Sequence, residues 1–187
     1  AEVGYTLCQP NVIYNVNNLS PEQFEHIVDE AERCNDIDYT LSLVNKYTRD
    51  MKTALRIKYA VAKNISDNKR RERVLAEVYN AVSNDTANQF EGYEELYLDM
   101  GLISYQKNDF SGALIPLQRY ADLMPNTSEK KAEALYYIGK SLVAMNERER
   151  AMSYFRQITT NMPDSIYKNL ANNELEEDAW KNNTNRN

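Results

Sequence analysis

The sequence predicts an all-α fold: about four stacked helix pairs closed by a C-terminal capping helix. Three observations predict it. Gly101 and Gly139, Ala113 and Ala151, and Pro125 and Pro163 are separated by one and the same interval, so a single register runs through two stretches of the chain. Around these small residues the apolar side chains recur at the i, i+3, i+4, i+7 spacing of a helix face. Each copy is broken once, at Asn108-Asp109 and at Asn146. Repetition of this length marks a stack of helix pairs, each burying its apolar face against the next.

In chain order, residues 1–18 show no helical period. Val12, Ile13, Tyr14 and Val16 are expected to pack as an extended arm. The helical domain spans 19–180. Ser20-Pro21-Glu22-Gln23 reads as an N-cap, a proline at the first helical position and a capping-box glutamine. A degenerate pair at about 19–52 sets Phe24, Ile27 and Val28 against Ile37, Leu41 and Val44. A second, at about 55–88, sets Val61, Ala62 and Ile65 against Val74, Val78 and Ala81, with a charged opening from Lys69 to Arg73. Both lack the glycine and the closing proline.

The two clear pairs are 94–127 and 132–165. The first carries Tyr97, Met100, Gly101 and Ser104, then Ala113, Leu117, Tyr120 and Pro125. The second carries Leu135, Ile138, Gly139 and Leu142, then Ala151, Tyr154, Phe155, Ile158 and Pro163. Glycine and alanine are small where two antiparallel helices cross. Proline has no N–H to donate and clashes with the preceding turn, so it closes the second helix. Pro116 is expected to kink its helix or to mark a later start. A capping helix is expected at 165–180, with Ile166, Leu170, Leu175 and Trp180 among polar residues, and a frayed tail at 181–187.

Composition limits the function classes. A net charge of −6 and a pI near 5.0 argue against nucleic acid as the main partner. No run of 18 apolar residues is present to span a bilayer. His26 is the only histidine and lies among Glu25, Asp29 and Glu30 in an expected helix at 21–33, where it reads as a surface residue. No Walker loop, GxGxxG or HExxH occurs. The run Glu174, Glu176, Glu177 and Asp178 reads as a solvated helix face. No catalytic residue, cofactor or metal ligand is therefore assigned. Cys8 and Cys34 are the only cysteines. In an oxidising compartment they would bridge the arm to the end of the first helix. Two unpaired thiols are the other reading, and both stay open. Asn18, Asn64, Asn84, Asn126 and Asn182 begin Asn-x-Ser/Thr sequons, which an asparagine-rich chain meets by chance.

The residues Tyr97/Met100-Gly101/Ala113/Leu117/Pro125 and Leu135/Ile138-Gly139/Ala151/Phe155/Pro163 resemble the tetratricopeptide repeat. The family's usual period is about 34 residues, so the longer register leaves about four extra residues around Ser128 to Lys131. Position eleven departs too, as Ser104 and Leu142, where an aromatic is common. The resemblance implies a right-handed α-α superhelix that binds a protein or peptide partner on a concave wall. It assigns to that wall Arg56, Tyr59 and Lys63; Glu95, Leu98, Leu102, Tyr105 and Gln106; and Glu133, Tyr136, Lys140, Val143 and Ala144. Tyr59/Lys63 and Tyr136/Lys140 repeat one pattern, a tyrosine and a lysine four apart on one helix face. With Leu98, Leu102 and Tyr105 between them, such a wall would hold a peptide carrying acidic groups. The carboxylate clamp of chaperone-binding members needs a lysine and an asparagine where this chain has tyrosine and lysine.

Residues 161–175 are similar to the Pro-x-Ser-x-Tyr-x-x-x-Ala linkers of bacterial cell-envelope members, such as the Tol–Pal-associated periplasmic coordinator and the outer-membrane-assembly lipoproteins. That likeness implies a non-enzymatic periplasmic or otherwise extracytoplasmic adaptor. A lipid anchor upstream of Ala1 is part of the expectation, although no lipobox is present. A cytosolic adaptor, either a regulator or a secretion chaperone, is the alternative.

Overall fold

The structure, a computed structural model, describes residues 50–186 together with Glu22, Leu41, Ser42 and Val44. The expected arm at 1–18, Cys8, Cys34, His26 and most of the pair at 19–52 lie outside the described residues. Among the described residues there are seven α-helices, one short 3₁₀ helix and no strand. They are α1 (Met51–Lys63), α2 (Asn68–Asn84), α3 (Glu94–Gln106), α4 (Phe110–Leu123), α5 (Glu129–Ala144), α6 (Arg148–Asn161) and α7 (Tyr167–Thr184), with the 3₁₀ turn Thr86–Asn88 after α2. The chain divides into two compact units, Ala1–Tyr93 and Glu94–Asn187. The fold is all-α and built from repeated helix pairs.

In the first unit α1 packs against α2, and both touch the 3₁₀ turn. Asp50 caps α1 by accepting from the N–H groups of Lys52 and Thr53, and Asp67 caps α2 by accepting from Arg70 N at 2.7 Å. These bonds satisfy N–H groups that a helix start leaves without partners. Val61, Ala62, Val78 and Val82 are fully buried. Val44, with Leu41 beside it, joins the cluster of Ala54, Ile57 and Val61.

In the second unit the sequence register becomes a register of helix boundaries. α3 and α5 end at Gln106 and Ala144, α4 and α6 start at Phe110 and Arg148, and those two end at Leu123 and Asn161. Every one of these boundaries recurs at the offset that separates Gly101 from Gly139. The turns recur as well. Asn108 and Asn146 have φ of 60° and 63°. In the first, Asp109 N donates to Ser104 O at 2.9 Å and Asn108 N to Tyr105 O at 2.9 Å. In the second, Glu147 N donates to Leu142 O at 2.8 Å and Asn146 N to Val143 O at 3.0 Å. This is a Schellman closure, which needs a left-handed residue, and asparagine adopts that conformation more readily than other residues that carry a side chain.

α4 and α6 both stop two residues before a proline. Met124 and Met162, which precede those prolines, have ψ of 145° and 60°, outside the helical region. The proline ring disfavours a helical residue ahead of it. Pro116 lies inside α4, which runs unbroken around it. It has a glycine, Gly112, at the i−4 position whose carbonyl it crowds.

Among α3–α6 only one boundary leaves the register. α5 begins three residues earlier than α3 would place it, so the extra residues expected between the copies lengthen the inner helix. Glu129, Lys130 and Lys131 form that added turn behind the N-cap Ser128. α7 starts at the repeat offset from α5 and runs on to Thr184, through the first part of the expected tail.

The second unit is layered. α3 packs on α4, α5 on α6, and α6 on α7; in addition α3 touches α5 and α5 touches α7. α3, α5 and α7 therefore line one side, with α4 and α6 behind them. Gly101 and Gly139 make the closest crossings. A β-carbon on Gly101 would overlap the Leu117 side chain and stand 3.3 Å from its backbone nitrogen, and one on Gly139 would meet the Phe155 ring at 2.6 Å. Leu117, Phe155, Ala113 and Ala151 are fully buried.

α7 differs chemically from the inner helices before it. In register with Leu135, Ile138, Gly139 and Leu142 of α5 it carries Asn173, Glu176, Glu177 and Trp180. The four residues of α5 are buried against α6, whereas those of α7 are all exposed, Trp180 at 66%. No described helix is long and apolar enough to cross a membrane.

Candidate functional site

The residues expected on the concave wall fall on α1 in the first unit and on α3 and α5 in the second. In the first unit, Arg56, Tyr59 and Lys63 lie on α1. Tyr59 is buried, packed on Phe90 with ring centroids 5.9 Å apart, and Lys63 lies over its ring at 4.2 Å. The pair is thus one internal cation–π contact, and Tyr59 offers little area to a partner. Arg56 is half-buried.

In the second unit, Leu98, Leu102 and Tyr105 lie on α3, and Tyr136 and Lys140 on α5. Leu98 is buried; the other four are half-buried. Tyr105 and Tyr136 belong to a longer row of rings. Tyr105 packs on Phe110 at 5.6 Å and on Tyr137 at 4.8 Å, Tyr137 on Tyr136 at 5.4 Å, and Tyr136 on Tyr167 at 5.4 Å. The row crosses α3, α5 and α7 in turn. Most contacts are edge-on or tilted, the geometry that suits the ring quadrupole. Tyr136 also rests on the buried Phe155 at 5.8 Å. Two members, Tyr137 and Tyr167, are absent from the wall that the repeat pattern assigns. The adjacent pair Tyr136-Tyr137 was the available signal, because two neighbouring tyrosines on an inner helix cannot both face the core.

The charges around this row are mostly committed inside the unit. Lys140 Nζ donates to Glu174 Oε1 of α7 at 2.8 Å, and Arg148 reaches Asp178 at 3.7 Å. Glu95 on α3 accepts from Lys130 Nζ at 2.7 Å and from the Tyr120 hydroxyl at 3.2 Å. This changes the chemistry expected of Lys140. Its charge is spent on Glu174, and that bond, aided by the nearby tyrosines, makes it hold its proton more firmly than usual. It is therefore a poor anchor for an acidic peptide.

Ionisation here is governed by burial. Desolvation, with the charge of Glu133 next, pushes the Tyr167 hydroxyl up to about 12; the same two causes raise Tyr137. Tyr136 is raised by desolvation, against the pull of Lys140. Tyr120 is pushed up to about 12 by desolvation and then by Glu95. All four are neutral hydroxyls at physiological pH. The Glu133 carboxyl is itself raised, first by desolvation and then, against the pull of Lys130, by Glu95 and Glu129.

A second concavity lies between the turns after α4 and α6. It has a volume of about 330 Å³ and is lined by Asn126, Ser128, Glu129, Asn161, Asp164 and Ser165. Glu129 Oε1 already accepts from Ser165 Oγ at 2.8 Å and Ile166 N at 3.1 Å, so this carboxylate secures the turn into α7. No group of three or more His, Cys, Asp or Glu placed to hold a metal occurs among the described residues.

The tetratricopeptide repeat family model matches residues 133–165, which take in most of α5, all of α6 and the turn into α7. No curated protein matches the chain. The chain is all-α, and its match to the tetratricopeptide repeat at 133–165 points to a scaffold for protein–protein interaction.

Proposed function

We propose that the chain is a non-enzymatic adaptor that holds a protein or peptide partner on the inner face of its second unit, outside the cytoplasm, in the assembly of a bacterial cell envelope or surface machine. The observation that carries the binding reading is the row Tyr105–Tyr137–Tyr136–Tyr167, half-buried across three inner helices. Tyrosine presents a large, stiff area with a polar tip at small entropic cost, which is why it dominates contact surfaces. The likeness of 161–175 to envelope-protein linkers supports the compartment.

The test is a pull-down from envelope extract with the native chain and with the Tyr136→Ala/Lys140→Ala variant, each first shown to be helical by circular dichroism. Loss of the partner with the variant is expected; equal recovery would remove the inner face from consideration. Titration of thiols in the native protein reads the compartment. A Cys8–Cys34 bridge is expected, and two free thiols would move the reading to a cytosolic adaptor.

A further inference from the structure

Glu95 and Glu133 occupy the same place in successive repeats, near the start of α3 and of α5 and in the register of the two glycines. Their surroundings differ. Glu95 has one carboxylate oxygen on the Tyr120 hydroxyl and the other on Lys130. In register with Tyr120 stands Ile158, fully buried, which offers no donor. In register with Lys130 stands Lys168, which is not bonded to Glu133. Among the described residues Glu133 makes no hydrogen bond and no ion pair, yet it is half-buried and desolvated. A carboxylate taken partly out of water with no bonded partner, only the pull of Lys130, is unfavourable, and a cation seated on it recovers that cost.

The rings beside it suit the same occupant. Glu133, Tyr136, Tyr137 and Lys140 are spaced to share one side of α5. The charge of Glu133 is felt at both Tyr137 and Tyr167. Tyrosine faces attract guanidinium and ammonium groups, Arg more often than Lys. Two lysines of this wall, Lys130 and Lys140, are held by Glu95 and Glu174 and are not loose charges for an acidic ligand.

We propose that the inner face of the second unit selects a partner segment bearing arginine or lysine, with one basic side chain seated at Glu133 against Tyr137 and Tyr167. This deepens the reading that the inner face is the docking surface and rests on it. It replaces the acidic peptide that the Tyr/Lys pattern of the sequence suggested.

The experiment uses the full chain with isotope-labelled tyrosine and two Gly/Ser peptides of equal length, one carrying three arginines and the other three glutamates at the same positions. Ring resonances are followed during titration at low salt. The arginine peptide is expected to shift Tyr136, Tyr137 and Tyr167, and Glu133→Gln to weaken it at least tenfold. Glu176→Gln, the same charge change on the exposed face of α7, is expected to weaken it less than twofold. Equal weakening by both variants would reduce the effect to the general attraction of an acidic chain and overturn the proposal. Shifts of the same rings by the glutamate peptide alone would also overturn it while leaving the inner face as the docking surface. If neither peptide moves those rings, the docking surface itself lies elsewhere and both readings fall.

Discussion

The helix pair of the first unit and the two pairs of the second solve one packing problem in three ways. In α3–α4 and α5–α6 the crossing sets a glycine against a large residue sixteen positions later, Gly101 with Leu117 and Gly139 with Phe155. In α1–α2 the same spacing separates Ala62 from Val78, both fully buried. As the small residue gains a methyl, its counterpart loses volume. Interiors are close-packed, so added volume on one side of a crossing calls for less on the other.

That comparison is broken most sharply by Gly139→Ala. The added methyl meets the ring of a fully buried Phe155, and the expected loss is about 1–3 kcal/mol by urea denaturation, despite alanine's better helix propensity. Gly101→Ala should behave likewise, and adding Leu117→Val recreates the pairing of α1–α2. The double variant is expected to recover at least about 1 kcal/mol relative to the sum of the singles. Strict additivity would show that the volumes are not traded.

The turns offer a smaller effect. At φ near 60° a side chain is strained, so Asn146→Ala should cost about 1 kcal/mol, and Asn108→Ala the same. Asn146→Gly should be neutral or slightly stabilising in thermal melts. If alanine is tolerated in one turn and not in the other, the two copies are not mechanically equivalent.

The smallest effect separates Glu95 from Glu133. Because the folded Glu133 carboxyl is raised, chiefly by desolvation, its contribution is complete below the ordinary glutamate range and is lost as pH rises through the folded value. Glu133→Gln should therefore raise stability at pH 7 and leave it unchanged near pH 3. Glu95→Gln should lower stability at pH 7, by up to about 1 kcal/mol, because it weakens the bonds to Lys130 and Tyr120. Denaturation curves of both variants at both pH values check the pair of signs.

The sequence carried the architecture because backbone constraints are local. Gly101, Pro125, Asn108 and their counterparts each satisfy a requirement of their own turn or crossing, so spacing alone exposed the helix ends. The wall was legible only in part. Tyr105 and Tyr136 were found by repeat position, but Tyr137 and Tyr167 join them through packing between α3, α5 and α7, which no single helix records. The fate of Lys140 was hidden for the same reason: its partner Glu174 is one helix pair away, on α7. Opposite charges about one period apart on inner helices were the signal that was available. The end of α7 was misplaced because its polar residues have little amphipathic pattern, and only the backbone shows that the helix continues to Thr184.

The three residues that lengthen α5 add little to the core, yet each takes hold of a different neighbour. Lys130 reaches α3 at Glu95, Lys131 donates to the Met124 carbonyl in the turn behind it, at 3.0 Å, and Glu129 clasps Ser165 and Ile166 in the turn ahead. They lace together segments that are otherwise joined by side-by-side packing. Stretched along its axis, the second unit would load these short polar ties before its apolar layers began to slide. Of these ties only Lys130–Glu95 joins two charges, so rising salt would soften that one and leave the other two in place.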